Sequence, residues 1–446
     1  MSDGGKTQTI DLIGVDVRPK MLITVSYGQS LSNGVTNFME RELFWDGTAT
    51  DPRALGLDWG NSTLEGLGWR NAPVNAEQFQ GFQPLAEYFR ETHASSMVHT
   101  MLAEYDAAGM VAPDILHMHG GMGNTSLLQL MTRSSDVYAD VETAMAQTAE
   151  GDTFAIDEGN GFYGYYVNYN CVADHYRTYP GEPVFLDNLA LQLELAVAEA
   201  EAQGYALENT LAVPWLHGQS DVNLTHPQYD YSHLLEVRFG RIDEVADAAF
   251  GTDVSVVASV SQNRGIGSKN LVFEQLEFIN ENDFAHFGPA EYVYQASEPS
   301  SVPYDYTHLS SEGYALMGAE IGHRMFDALT GNEDAPILFE TVSLVAPDRL
   351  KVTFSGVEGV LVDDPGIYRA DNGFIPPEHF GFRLYMPDGL RGSGLPEIVD
   401  ATITGAAEVE LQFDQALTGV YRLYLGRNEQ DLLDPGLGVT TGRAFG

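Results

Sequence analysis

A serine, an aspartate and a histidine in this chain have the types and spacing that nucleophilic catalysis requires. Ser30 follows Gly28 and Gln29 at the end of a short apolar run, and Asp305 and His308 stand close together in the segment YDYTHLS. Residues three positions apart can lie on one turn, so the carboxylate can hold one imidazole nitrogen while the other faces a cleft. A serine hydroxyl becomes a good nucleophile when such a base takes its proton. The three residues therefore predict a Ser-His-Asp triad, which is defined by roles and not by order.

Each of these residues also has a simpler interpretation. A serine at a strand end is most often a turn former. Asp305 and Thr307 can cap the helix that we expect to begin near Ser310, and His308 can be an ordinary hydrogen-bonded histidine.

Three further histidines raise the possibility of a metal site, because histidine is the commonest metal ligand. They are His117, His119 and His217. We expect the alternation in His117-Met118-His119 to put the two rings on opposite faces of a strand, so shared ligation and a metal are not expected.

The elements that would position the catalytic residues are buried strands. Residues 21–27, 114–119 and 210–216 are short runs rich in apolar residues, and each ends in a glycine-containing turn. Open α/β sheets bind ligands at the carboxyl ends of their strands, where Ser30 would lie. The glycines after residue 119 let backbone N–H groups approach an anion.

The order of elements predicts an α/β domain followed by an all-β domain. Helical patterns at 84–108, 184–203, 229–250 and 310–329 alternate with the strands, including strands at 253–260 and 291–296, which favours a parallel sheet covered on both faces. From residue 331 the chain shows short alternating runs between glycine and proline turns, typical of a β-sandwich. We therefore predict a lead-in at 1–20, a catalytic domain at 21–330 and an accessory β domain at 331–446.

Two aromatic segments are expected near the cleft. Residues 36–83 form a long irregular segment that contains Trp45, Trp59 and Trp69, and residues 154–183 are irregular and rich in tyrosine. The tryptophans could form a platform for sugar rings, or they could pin the segment to the body of the protein. Both roles stay open.

Composition excludes several functions. The 446 residues contain 22 basic and 64 acidic side chains, a net charge of −42, which would repel nucleic acid and anionic membranes. We expect no membrane span and no secretory signal, and the single Cys171 allows no internal disulfide. The charge also suggests a salt-adapted protein, since salt screens self-repulsion. Localisation and oligomeric state are left open.

Four short blocks carry a resemblance to a known family. YGQSLSNG at 27–34 resembles the GQSNxxG block of SGNH-type carbohydrate esterases, specifically the acetylxylan esterase and sialate O-acetylesterase group. GNTSL at 123–127 is similar to that group's GGTSL, WLHGQSD at 215–221 to WxQGESD, and DYTHLS at 305–310 to DxxHL. The four blocks occur in the family's order.

The resemblance implies a flavodoxin-like three-layer domain that hydrolyses O-acetyl groups on a glycan. Ser30 would be the nucleophile, His308 the general base and Asp305 the residue that orients it. The oxyanion hole would use the N–H of Ser30, an N–H of Gly123 or Asn124, and a side chain of the WLHGQSD block. Gln29 is expected beside the substrate.

The blocks depart from the family at four positions. Leu31 and Asn124 replace an asparagine and a glycine, while His217 and Gln219 stand where the family has glutamine and glutamate. A neutral imidazole can donate one hydrogen bond to an oxyanion, and Gln219 could also do so, so both remain candidates.

The sequence thus predicts a serine esterase that acts on an acylated carbohydrate without metal or cofactor. The alternatives are an inactive glycan-binding or structural module on the same scaffold, and a lipase or thioesterase of the same fold.

Overall fold

The computed structural model describes the parts of the chain on which the following account rests. They are residues 18–28, 51–59, 75–87, 91–121, 125–159, 162–168, 185–218, 221, 230–262, 271–291, 309–332, 337–357, 359–361, 378–385 and 394–424.

The described residues of the amino-terminal part form ten strands. They are β1 (Lys20–Gly28), β2 (Ala54–Asp58), β3 (Gly81–Pro84), β4 (Asp114–His119), β5 (Val137–Tyr138), β6 (Thr153–Gly159), β7 (Phe162–Val167), β8 (Ala206–Leu216), β9 (Ser255–Gln262) and β10 (Ala285–Ala290). Seven of them form one sheet in the order β10-β9-β8-β1-β4-β2-β3, while β5, β6 and β7 form a separate small sheet. Neighbours in the large sheet run parallel except β2 and β3.

Helices cover both faces of the large sheet. The described helices are α1 (Ala94–Ala107), α2 (Leu127–Met131), α3 (Val141–Gln147), α4 (Phe185–Ala202), α5 (Tyr231–Phe250), α6 (Leu271–Glu281) and α7 (Ser311–Thr330), of which α3 packs on the small sheet instead. One core cluster joins α1 and α7 to one face, and another joins α2, α4, α5 and α6 to the opposite face. Successive residues of a strand point to opposite faces of the sheet. In β1, Leu22 therefore belongs to the cluster on the α1 and α7 side, and Ile23 to the cluster on the other face.

Five consecutive parallel strands of the sheet have the order of a flavodoxin-like sheet, because β4-β1-β8-β9-β10 reads 2-1-3-4-5 in chain order. The predicted α/β class is therefore confirmed. None of the described helices is long and apolar enough to cross a membrane.

Two glycines let α1 and α7 pack with their backbones close together. A Cβ on Gly318 would overlap the main-chain oxygen of His93, and a Cβ on Gly322 would overlap that of Met97. Since backbone atoms cannot move aside as a flexible side chain can, these contacts fix where α7 lies on α1.

In the carboxyl-terminal part, the described residues form antiparallel strands and one short 3-10 helix, Glu378–Gly381. The strands are β11 (Leu338–Ala346), β12 (Arg349–Ser355), β13 (Arg383–Tyr385), β14 (Ile398–Gly405), β15 (Glu408–Phe413) and β16 (Arg422–Tyr424). An antiparallel sheet of order β11-β12-β15-β14 and a two-stranded sheet of β13 and β16 share one hydrophobic cluster. The predicted separate all-β region is confirmed, while its boundary at residue 331 stays a prediction.

Several predicted elements have different bounds or were not expected. The predicted helix at 84–108 begins only at Ala94. Leu85, which the sequence pattern assigned to the apolar face of that helix, instead packs into the cluster of α1 and α7 directly after β3. Strands β2 and β3 lie in the region predicted as a long loop, and the β6–β7 hairpin in the region predicted as irregular. A strand that was not expected, β10, lies at Ala285–Ala290, while the strand expected at 291–296 lies outside the described residues apart from Glu291.

Two of the strands that were not predicted have a common physical reason. The missed strands β3 and β10 contain both glycine and proline, which normally signal turns, but both are edge strands, where proline costs no ladder hydrogen bond. A sequence pattern does not reveal which strand lies at an edge.

Candidate active site

The structure describes the surroundings of the predicted site but few of its residues. Nine predicted positions lie outside the described residues: Gln29, Ser30, Trp45, Trp69, Gly123, Asn124, Gln219, Asp305 and His308. The described residues next to them are therefore the ones whose geometry can be reported.

Three of the four sequence blocks lie at the carboxyl ends of three neighbouring strands, or directly after them. Strand β1 ends at Gly28, β4 at His119 and β8 at Leu216, and β4 and β8 are the two neighbours of β1. Gly28 pairs with Leu216, and Ser26 pairs with His119. The three strands thus end together where the strand order reverses, which is where doubly wound sheets bind ligands.

Gly28 is required at the end of β1. Its φ is +152°, a conformation that side chains rarely adopt, and a Cβ would overlap the main-chain oxygen of Leu216. The chain therefore leaves β1 tightly against β8, directly before Gln29 and Ser30.

The fourth block ends at the start of α7. Leu309 is fully buried in the cluster that joins α7 to the sheet, and Ser310 caps the helix by accepting a hydrogen bond from the Gly313 N–H at 3.0 Å. Because Ser310 is the cap, Asp305 and Thr307 are not needed for that role.

His217 follows β8 and is fully buried, with both ring nitrogens close to internal partners. Its Nε2 lies 3.1 Å from the main-chain oxygen of Thr125, and its Nδ1 lies 2.9 Å from the Tyr231 hydroxyl. A carbonyl oxygen can only accept, so Nε2 carries the proton and Nδ1 accepts from Tyr231. Burial lowers the pKa of His217 to about 3, so the ring is neutral.

Asp221 joins the same two segments. Its Oδ1 accepts a hydrogen bond from the Leu127 N–H at 2.9 Å, and its Oδ2 lies 3.4 Å from Nε2 of His217. The Asp221 N–H also donates to the Gly218 oxygen at 2.9 Å. Asp221 lies in a quoted block, but nothing in the sequence assigned it this role.

The opposite end of α2 is also held by side chains. The Tyr27 hydroxyl donates to the Leu130 oxygen at 3.1 Å, and Arg241 Nη1 donates to the Met131 oxygen at 2.7 Å. The short helix after Gly123 and Asn124 is therefore fixed at both ends.

Arg238 on α5 is a fully buried cation behind this helix. It donates to the Tyr27 hydroxyl, and its guanidinium carbon lies 4.5 Å from the Tyr27 ring centroid. Its Nε and Nη1 make no hydrogen bond to the residues that the structure describes. Burial lowers the pKa of Arg238 to about 10, which leaves it charged at neutral pH.

A buried histidine cluster lies on the α1 and α7 side of the sheet, below the strand ends. His117 contacts the Thr24 hydroxyl at 2.8 Å and the Ser26 hydroxyl at 3.1 Å, and Ser26 also hydrogen-bonds Nε2 of His93. Burial lowers the pKa of His93 to about 3 and that of His117 well below its usual value, and the neighbouring His119 acts in the same direction. His93 and His117 are therefore neutral at pH 7.

The prediction that His117 and His119 lie on opposite faces is wrong. Their ring centroids are 4.8 Å apart, on one face of β4. A strand alternates with a period of two, so residues i and i+2 share a face, and the intervening Met118 points the other way. Within the described ranges, no group of three or more His, Cys, Asp or Glu residues has the arrangement of a metal site.

Trp59 is the one predicted substrate-binding residue that the structure describes. It is 4% exposed, belongs to the main core cluster and packs against Phe79 with ring centroids 5.4 Å apart. Trp59 therefore pins its segment to the body of the protein and does not form an exposed platform for sugar rings.

Two solved structures show distant similarity to this chain. No protein-family model matches the chain, and no curated protein matches it. A solved carbohydrate acetylesterase from Xanthomonas citri is 11% identical, with a TM-score of 0.47 over 96% of this chain and 78% of its own. A protein from Arabidopsis thaliana is 11% identical, with a TM-score of 0.36 over 69% of this chain and 98% of its own. Neither similarity assigns an activity to this chain.

Proposed function

We propose that this protein is a serine esterase that removes O-acetyl or similar short acyl groups from a carbohydrate. One observation carries the proposal: the segments with Ser30, with Gly123 and Asn124, and with Gln219 directly follow three neighbouring parallel strands at their carboxyl ends. A nucleophile and oxyanion donors on such segments can converge on one ester carbonyl. In the sequence, Asp305 and His308 lie shortly before α7, a helix that packs on one face of this sheet.

The reaction is a two-step acyl transfer. The Ser30 Oγ attacks the ester carbonyl while His308, oriented by Asp305, takes the hydroxyl proton. The C–O bond to the sugar breaks, and His308 gives that proton to the leaving sugar oxygen. Water, deprotonated by His308, then attacks the acyl-enzyme and releases the carboxylic acid and free Ser30.

The negative charge on the tetrahedral intermediate is held by hydrogen-bond donors. The main-chain N–H of Ser30 and one from Gly123 or Asn124 supply two of them, and Gln219 supplies the third. The geometry of His217 favours Gln219, since the single ring proton of His217 already points to the Thr125 oxygen.

The carbohydrate substrate is supported by the resemblance of the four blocks to carbohydrate esterases and by Trp45 and Trp69, which can stack on sugar rings. The mechanism requires no metal or organic cofactor. The proposed catalytic domain spans residues 21–330, with residues 331–446 as an accessory β domain.

Covalent labelling tests the proposal. The protein is treated with a fluorophosphonate, the label is mapped by peptide mass spectrometry, and acetate release is measured from p-nitrophenyl acetate and from acetylated xylan. We expect the label on Ser30 and no turnover in Ser30→Ala or His308→Ala, with Ser32→Ala as a matched control that keeps activity. A folded wild-type protein that is neither labelled nor active would indicate a glycan-binding or structural module instead. Preference for long acyl chains over acetylated glycans would indicate a lipase or thioesterase.

A further inference from the structure

We propose that His217 and Asp221 are positioning residues of this site: together they hold the main chain at Thr125 and Leu127, directly after Gly123 and Asn124. The inference rests on the proposed function, because holding this chain segment matters for catalysis only if an oxyanion binds beside it. It also assigns His217 a different role from that of an oxyanion donor.

The first step concerns the hydrogen-bonding capacity of the His217 ring. A neutral imidazole has one N–H and one acceptor nitrogen. The N–H is used by the Thr125 oxygen at 3.1 Å, and the acceptor nitrogen by the Tyr231 hydroxyl at 2.9 Å. The fully buried ring therefore has no further donor for a substrate oxygen.

The second step concerns what the two side chains bind. His217 contacts a main-chain oxygen and Asp221 a main-chain N–H, at 3.1 Å and 2.9 Å. Both contacts therefore fix the path of the backbone, whatever side chains it carries. His217 is itself held by Gln275, whose Nε2 donates to the His217 oxygen at 3.0 Å.

The third step concerns why α2 needs this support. A helix of five residues cannot stabilise itself, because the cost of nucleating a helix exceeds what so few hydrogen bonds return. Tyr27 and Arg241 hold its carboxyl end. His217 and Asp221 supply the matching contacts at its amino end, which is the end that faces Gly123 and Asn124 in the chain.

The protonation of His217 tests the first step without any activity measurement. In ¹⁵N-histidine-labelled wild-type protein we expect the His217 ring to be neutral at pH 6, with its proton on Nε2. We also expect its N–H resonance to change little when Ser30 carries a phosphonate, a tetrahedral mimic of the intermediate. A proton on Nδ1, or a large downfield shift of the N–H on phosphonylation, would overturn the proposal.

Substitutions test the second and third steps. We expect His217→Leu and Asp221→Ala each to lower kcat about 10–100-fold with KM changed less than about threefold, because a misplaced donor affects the transition state more than the bound substrate. Hydrogen exchange should become faster in the peptide that contains Leu127. His217→Gln, whose amide can still donate to the Thr125 oxygen, should keep most of the activity and the protection.

Asp140→Ala is the matched control for Asp221→Ala. Asp140 also accepts a helix-start N–H, that of Thr143 at 2.8 Å, but at α3. We expect this control to lose some thermal stability and no kcat. Equal kcat losses in the two variants, or a normal kcat in Asp221→Ala, would overturn the inference alone. A wild-type protein without turnover or label would instead overturn the proposed function, and the inference with it.

Discussion

Gly318 packs directly on the main-chain oxygen of His93, so that α7 and α1 meet with no side chain between them. His93 also hydrogen-bonds Ser26 on β1, and α7 begins directly after the segment that contains Asp305 and His308. The contact between these two residues therefore links the first strand, the first helix and the last helix of the α/β part.

A methyl group at position 318 should destabilise the protein. We expect Gly318→Ala to lower the free energy of unfolding by about 1–3 kcal/mol, because the added Cβ overlaps backbone atoms and forces the helices apart. Gly240→Ala on α5 is the control, since its Cβ would meet nothing within 4 Å. That variant should gain about 0.5–1 kcal/mol from helix propensity. Urea denaturation measures both, and a Gly318→Ala protein as stable as wild type would contradict the tight helix crossing.

Acid should destabilise the protein through its buried histidines. Burial lowers the pKa of His93 and of His217 from 6.5 to about 3, so the unfolded chain binds protons in this range while the native state does not. The stability that they contribute is fully present above pH 6.5 and is lost as pH falls towards 3, by up to ~1.4 kcal/mol per pH unit for each histidine.

Urea denaturation at pH 7, 6 and 5 checks this dependence at constant salt. We expect His93→Gln to reduce the slope of unfolding free energy against pH, because one of the buried titrating groups is then gone. If the variant and the wild-type protein have the same slope, His93 is not kept neutral by burial.

Tyr27 and Arg238 should be energetically coupled. Tyr27→Phe leaves a guanidinium N–H and the Leu130 carbonyl without their partner, which should cost about 1–3 kcal/mol. Arg238→Met removes a buried cation and should be close to neutral. In the Arg238→Met background, Tyr27→Phe should cost less, and a double-mutant cycle measures the difference. Additive effects would contradict a direct interaction.

Salt should stabilise the protein. The acidic side chains behind the net charge of −42 repel one another, and the Debye screening length falls from ~10 Å at 0.1 M to ~3 Å at 1 M salt. We expect the unfolding midpoint to rise between these NaCl concentrations at pH 7, and to rise less near the sequence pI of about 4.3, where the net charge is small. A midpoint that falls with NaCl at pH 7 would contradict salt adaptation.

The sequence was sufficient to predict the central strands of the sheet. β1, β4 and β8 are buried on both faces, so their apolar runs stand out, and the glycines that end them mark the edge where ligands bind. The long helices α4, α5 and α7 were predicted within about two residues of their ends for a similar reason, since their apolar spacing is regular.

Contacts between distant parts of the chain could not be predicted. His217 and Thr125 are 92 positions apart, and Asp221 and Leu127 are 94 apart, so no local pattern joins them. The sequence suggested that His217 lies in the site, but its role depends on which atoms the fold places around the ring. The triad of Ser30, Asp305 and His308 stays a prediction.

The register of β1 with its two neighbours has a practical consequence for engineering. Gly28 is paired with Leu216, and Ser26 with His119, by the sheet itself and not by the segments that leave these strands. A designer can therefore transplant a different segment between Gly34 and Ala54, which leaves Gln29 and Ser30 in place, in order to redirect substrate choice while the strand ends keep their mutual alignment.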